Sequence, residues 1–232
     1  MKIGVVFDVD GVLLDSYRGI EEFYEVYLPR IAGVNHALSS YLVYMEYLGE
    51  AIGLLRDQWW FDAVPGLTEE LYDALITKYW EVRISNTTLE PGVPEVLERM
   101  RGKGYLLFSV SYRDEIYGLK RYRLEAAGLK NLFDEVVVVG EDGVSNRCEG
   151  IKYLQAKHSL DRVVYVDDKP LNLYRISIAA GDSIVLVHYR FKHLVEFPWK
   201  NPGRLFKEVH SLYELESLLD RMFSREEAEL NT

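Results

Sequence analysis

The sequence predicts an α/β protein: a parallel sheet flanked by helices, with an all-helical segment inserted after the first strand. Three observations predict it. Five short apolar runs rich in β-branched residues, at 3–7, 105–110, 136–139, 163–166 and 184–187, lack the alternation of half-exposed strands and read as strands buried on both faces. Helical periodicity separates most of them, and strands alternating with helices give a parallel sheet with right-handed crossovers. Residues 17–88 break this rhythm with helical stripes and no strand.

Taken in order, the first strand runs into Asp8-Val9-Asp10-Gly11. Ile20, Phe23, Tyr24, Tyr27, Leu28 and Ile31 then recur at helical spacing. Leu38, Tyr41, Leu42, Met45, Leu48, Ile52 and Leu55 form a second stripe, and Leu71, Leu75, Tyr79 and Val82 a third. Their aromatics are expected to pack a core. Trp59, Trp60 and Phe61, between stripes, are candidates for lining a substrate pocket or for packing. Val93, Val96, Leu97 and Met100 predict the next helix, with Pro94 near its start and Gly102 after it. Ile116, Leu119, Tyr122 and Ala126 predict another, closed by Gly128. Arg113, Lys120, Arg121 and Arg123 around it read as a solvated basic face. Ile151 and Leu154 begin one more helix, and residues 171–180 another. Residues 189–204 are aperiodic, rich in Pro, Lys and aromatics, and read as an ordered loop. A short edge strand at 206–209 and a helix through Leu212, Leu215, Leu218, Leu219 and Met222 close the chain, with residues 224–232 expected to fray. The expected division is a core of residues 1–16 and 89–232 and a helical unit of residues 17–88.

Composition narrows the function. The 232 residues are 48% hydrophobic and 28% charged, as in an ordinary globular protein. The net charge of -10 disfavours general binding to nucleic acid or anionic membranes. A single cysteine, Cys148, excludes an intrachain disulfide and a cysteine-rich zinc site. The apolar run at the N-terminus is too short for a signal peptide and none elsewhere approaches a membrane span, so a cytoplasmic protein is expected. The five histidines share no ligand spacing and read as surface or loop residues.

The chemistry-bearing residues are acidic. Side chains at i and i+2 of a strand point the same way, so Asp8 and Asp10 stand together at the carboxyl edge of the sheet, where α/β proteins bind ligands. Asp167 and Asp168 end the 163–166 strand in the same manner. Four carboxylates at one edge repel unless a cation sits among them, and an oxygen-only donor set suits Mg²⁺. Ser111 follows the 105–110 strand, where its hydroxyl and the next amides can hold an anion. Lys152 opens a helix and can offset carboxylate charge. There is no G-x-G-x-x-G and no P-loop signature.

These motifs, in this order, resemble the haloacid dehalogenase superfamily. Phe7-Asp8-Val9-Asp10-Gly11-Val12, followed by Asp15-Ser16, matches its first motif, and Ser111, Lys152 and Asp167-Asp168 match the others. The resemblance implies a Rossmann-like core with residues 17–88 as a helical cap. It implies that Asp8 is a nucleophile forming an aspartyl-phosphate, and that Asp10 is general acid and then base. It implies Mg²⁺ held by the side chains of Asp8 and Asp168 and the backbone carbonyl of Asp10, with Asp167 in an outer or water-mediated role. Ser111, Tyr112 through its amide, and Lys152 would hold phosphate oxygens. Asn172 would orient Lys152 or the acidic pair, and Arg18 is a candidate to reach in from the cap root. Three departures stand out: Tyr112 replaces a common Asn, Lys152 lacks the proline that often follows, and Asn172 stands where many members carry a second acid. The implied activity is a Mg²⁺-dependent phosphatase for a small phosphorylated metabolite, with a homodimer left open. The alternatives are a sugar-phosphate mutase of β-phosphoglucomutase type, a dehalogenase, which Asp10 disfavours, and a non-catalytic binding protein.

Overall fold

Six parallel strands form the sheet: β1 (Ile3–Phe7), β4 (Leu106–Tyr112), β5 (Glu135–Val139), β6 (Arg162–Asp167), β7 (Ile184–Tyr189) and β8 (Lys207–Val209), in the order β5-β4-β1-β6-β7-β8. They belong to a computed structural model that describes residues 1–192, 199–201 and 205–230, the last seven by backbone alone. β1 lies at the centre and is buried along its whole length, as its unbroken apolar run requires. Its alternate side chains feed two cores. Val5 and Phe7 pack with the helices α6 (Val93–Gly102) and α10 (Leu212–Leu230) on one face. Val6 packs with Phe108, Tyr165 and the helices α8 (Arg147–His158) and α9 (Pro170–Ala179) on the other. The helix α7 (Leu119–Ala126) joins β4 to β5.

The chain leaves and re-enters this unit through a small antiparallel pair, β2 (Leu14–Asp15) with β3 (Thr88–Leu89). The pair is absent from the sequence expectation because two-residue strands carry no readable period. Between its strands lie α1 (Arg18–Glu22), a π-helical turn at Phe23–Tyr27, α2 (Leu28–Ala32), α3 (His36–Ile52), α4 (Trp60–Ala63) and α5 (Glu69–Asn86). They share an apolar cluster of their own, centred on Phe23, Tyr24, Trp60 and Tyr79. Of the three candidate aromatics, Trp60 stacks on Phe23 and Phe61 on Tyr72, and Trp59 meets Trp60 edge-on, so packing is their role here. Gly19 lets α1 press on α5: a Cβ there would lie 2.7 Å from the Arg83 Cα.

The closing helix extends to Leu230, past the point where fraying was expected, and residues 231 and 232 lie outside the described residues. Within the 189–204 stretch, residues 193–198 and 202–204 also lie outside them; Trp199, between, is buried. Among the described residues, no helix is long and apolar enough to cross a membrane.

Candidate active site

A cavity of about 240 Å³ lies between the carboxyl ends of β1, β4 and β6 and the helical segment. Asp8, Asp10, Ser111, Arg147 and Lys169 reach it from the sheet side, and Glu50, Arg56, Trp80 and Arg83 from the helices. Asp8, Asp167 and Asp168 are all buried, and each offers a carboxylate oxygen within 4.8 Å of the other two. Strand ends put them there: the Asp8 amide continues the β1–β6 ladder by donating to the Val166 carbonyl at 2.9 Å. Gly11 makes room for the cluster. It turns the chain at φ +78°, and a Cβ on it would fall 2.3 Å from Asp168 Oδ2.

Burial raises the Asp8 carboxyl to about 6; Arg147 opposes that rise and Asp167 adds to it. Asp167 is raised too, first by burial, with Asp168 adding and Arg147 opposing. Asp167 is otherwise well occupied. It accepts from Tyr165 Oη at 2.6 Å and from the Lys169 amide at 2.7 Å, and its two oxygens both accept from Asn172 Nδ2, at 3.0 and 3.1 Å. Asn172 therefore orients the acidic pair and not Lys152. A buried, oxygen-only set made of Asp8, Asp167 and Asp168 has the donor chemistry that suits a hard divalent cation such as Mg²⁺.

Asp10 has other company. Its carboxylate accepts from Ser16 Oγ at 2.5 Å, from Lys120 Nζ at 2.5 Å and from Arg123. Burial alone would raise it, yet Arg123, Lys120 and Arg83 together hold it well below the usual carboxylate range. The same two α7 cations bind Asp114, Lys120 at 2.6 Å and Arg123 at 3.1 Å. Lys120 and Arg123 are thus buried, which corrects the reading of a solvated basic face; Tyr122, expected to face the core, is 59% exposed. The helix turns its cations inward because two buried carboxylates wait beneath it. Arg121 alone of the helical three fits the earlier reading, pairing with Glu141 and Asp142 near the surface.

Ser111 is buried at the cavity wall, and among the described residues its hydroxyl has no hydrogen-bond partner, a donor left for a bound anion. Tyr112 lines the same wall, with its ring 4.5 Å beneath the Arg147 guanidinium. The structure does not bring Lys152 to this site. Its Nζ donates to the Ala179 carbonyl at 2.8 Å on an exposed surface. The reason is helical phase: α8 buries Arg147, Gly150, Ile151 and Leu154, and Lys152 falls outside that face. Gly150 seats the helix tightly, since a Cβ there would meet Val110 at 3.0 Å. Arg147, at the start of the same helix, stands 3.3 Å from Asp8 and 3.5 Å from Asp167. Lys169, directly after the acidic pair, adds a second cation, its Nζ 3.1 Å from Glu50. Arg18 is also absent from the site; it is 66% exposed and pairs with Asp15 at 2.5 Å.

Sequence reasoning missed further partners. Glu46, Glu50, Arg56, Arg83 and Glu115 form an ion-pair network at the cavity: Glu46, Glu50 and Arg83 sit on helices whose stripes were read for apolar residues alone, Arg56 follows α3, and Glu115 lies between β4 and α7. His188 is no surface histidine. It is buried in β7 with Nε2 3.1 Å from the Asp168 carbonyl and Nδ1 3.0 Å from Glu208. Its place in an apolar strand, one residue beyond the 184–187 run, was the available signal.

The haloacid dehalogenase-like hydrolase family model matches residues 4–173, and the chain belongs to that family of hydrolases. Among solved structures it is similar to a haloacid dehalogenase-like hydrolase from Streptococcus pneumoniae, at 14% identity and TM-score 0.65, covering 94% of this chain and 98% of that one. A subfamily IA hydrolase of the same superfamily from Geobacter sulfurreducens is 20% identical, with TM-score 0.64 and coverage of 94% and 96%. A protein from Haemophilus somnus named as a predicted phosphoglycolate phosphatase is 16% identical, with TM-score 0.62 and coverage of 93% and 97%. At these identities the likeness is one of fold. No curated protein matches the sequence significantly.

Proposed function

We propose that this hydrolase is a Mg²⁺-dependent phosphatase that cleaves a small phosphorylated metabolite through an aspartyl-phosphate on Asp8. The observation that carries the reading is the convergence of Asp8, Arg147, Lys169 and the unpartnered Ser111 hydroxyl on one cavity beside Asp167 and Asp168. The phosphatase name of the Haemophilus protein agrees with it. A bound Mg²⁺ would offset the negative charge of nucleophile and phosphate, which is a Lewis acid's contribution.

The chain's own residues would do the rest. Ser111 and Arg147 hold phosphate oxygens, and Lys169 adds positive charge where the phosphoryl group transfers. An Asp8 carboxylate oxygen bonds to phosphorus as the bond from phosphorus to the substrate's alcohol oxygen breaks, and Asp10 supplies the proton that oxygen takes up. Water then bonds to phosphorus, gives its proton to Asp10, and the Asp8 carboxylate leaves. Asp10, ionised between Lys120 and Arg123, is in the form that accepts the second proton. To deliver the first it must part from those cations and take up a proton from solvent before the P–O bond breaks.

The test is a panel of phosphorylated metabolites assayed with and without Mg²⁺, on wild type and Asp8→Asn. Turnover that needs Mg²⁺ and vanishes in Asp8→Asn is expected; sizeable activity in that variant rules out Asp8 as nucleophile. Asp10→Asn should slow turnover by about 10²–10⁴-fold, least for esters with good leaving groups.

A further inference from the structure

Asp168 is gripped from a part of the chain that lies outside the family motifs. Trp199 donates its indole Nε1–H to Asp168 Oδ2 at 3.0 Å, and Tyr17 donates its hydroxyl to the same oxygen at 3.3 Å. Both side chains are buried, and their rings meet edge-on at 6.3 Å. That oxygen also rests against Gly11, where no side chain would fit. Trp199 comes from beyond β7, past the residues matched by the family model, and Tyr17 from the root of the helical segment. Trp199 packs in the apolar cluster of those helices beside Tyr17, Tyr47 and Phe191.

We infer that Trp199 and Tyr17 are positioning residues that hold Asp168 in its metal-binding orientation and so set divalent-cation affinity. This rests on the reading of Asp8 and Asp168 as Mg²⁺ ligands. An indole N–H only donates and so has no part in coordination itself. Its effect is on the carboxylate. Asp8 and Asp167 repel Asp168 at close range, and a carboxylate with one oxygen tied to two donors stays in place against that repulsion. Beyond packing, each side chain brings a hydrogen-bond donor to a buried carboxylate, and that donor acts on the charge directly. The consequence is coupling: the segment carrying Trp199 and the helical segment carrying Tyr17 both meet at one metal ligand. Losing such an outer contact typically weakens metal binding by about 10–100-fold.

The experiment is a Mg²⁺ titration of the full chain, read by melting temperature and by tryptophan fluorescence, on wild type, Trp199→Phe and Tyr17→Phe. Without Mg²⁺ Trp199→Phe should melt below wild type, because the smaller ring fills less of a buried site and Asp168 loses a donor, so the readout is the Mg²⁺ midpoint. Its Mg²⁺ midpoint should rise by about tenfold or more, with a smaller rise for Tyr17→Phe, whose contact is longer. The Mg²⁺-dependent fluorescence change of wild type should be lost in Trp199→Phe, although Trp59, Trp60 and Trp80 remain. Midpoints equal to wild type in both variants overturn the inference while leaving the metal reading intact. A wild type whose melting ignores millimolar Mg²⁺ overturns the metal reading itself. If Trp199→Phe does not fold, Tyr17→Phe decides, and an unshifted midpoint there overturns the inference.

Discussion

Two helices that flank the same sheet obey opposite rules. On α6 the apolar residues Val93, Val96, Leu97 and Met100 are buried, and Arg99 and Arg101 lie outside, as its sequence period requires. On α7 the buried residues are Lys120, Arg123 and Leu124; of the predicted apolar stripe Tyr122 and Ala126 face solvent, and Leu119 packs on the cluster of the helical segment. The difference lies in what each helix covers. Beneath α6 is the apolar face of β1 and β4, and burying CH₂ groups decides the rotation. Beneath α7 are Asp10 and Asp114, and leaving two carboxylates buried without partners costs more than exposing Tyr122. Amphipathic period thus locates the inner face of a helix only where the neighbour is apolar.

The contrast can be broken most directly at Arg123. Arg123→Met leaves Asp10 and Asp114 partly unpaired in a buried site, and should cost about 3–5 kcal/mol in urea unfolding. A cost below about 1 kcal/mol would mean that charge does not set the rotation of α7. On α6 the equivalent blow is apolar: Leu97→Ala should cost about 2–5 kcal/mol. It should leave the dependence of turnover on leaving group unchanged, since Asp10 keeps its partners.

Acid separates the two regions by sign. Glu216 on α10 accepts from Arg99 on α6, and that bond, helped by Lys103, holds its carboxyl down at about 2. Its contribution is present above the ordinary carboxylate range and is lost as pH falls towards 2. Asp8 runs the other way. Burial lifts it to about 6, so the metal-free fold holds that proton where the unfolded chain has released it. Its contribution is present below about 4 and is lost as pH rises to 6. Since Mg²⁺ competes with that proton, the Mg²⁺-induced rise in melting temperature should grow between pH 5 and 7. A rise independent of pH over that range would remove Asp8 from the ligand set.

Smaller effects sharpen the comparison. Arg99→Ala, at a partly exposed pair, should cost at most about 1 kcal/mol, and less in high salt. Smallest of all, Lys152→Ala should stay within about 0.5 kcal/mol of wild type and keep its turnover, whereas Arg147→Met should lose most activity. The reverse result, with Lys152 needed and Arg147 dispensable, would restore the assignment the family motif suggested.

By itself the sequence determined the parallel sheet, the helical insertion and the four acidic residues at the strand ends. Each of these depends on local facts: a two-residue period, a β-branched run, a glycine that turns the chain after Asp10. Such facts are written within one element and survive wherever that element is placed. Only the tertiary structure decided which cations stand at the cavity, Arg147 and Lys169 and not Lys152, and that Lys120 and Arg123 surround Asp10. It alone decided that Trp199, His188 and Glu50 meet side chains from distant elements. Those choices turn on how each helix is rotated about its own axis and on what lies beneath it. That rotation follows the summed burial of apolar area and the pairing of buried charge across elements, neither of which any single stretch of sequence contains.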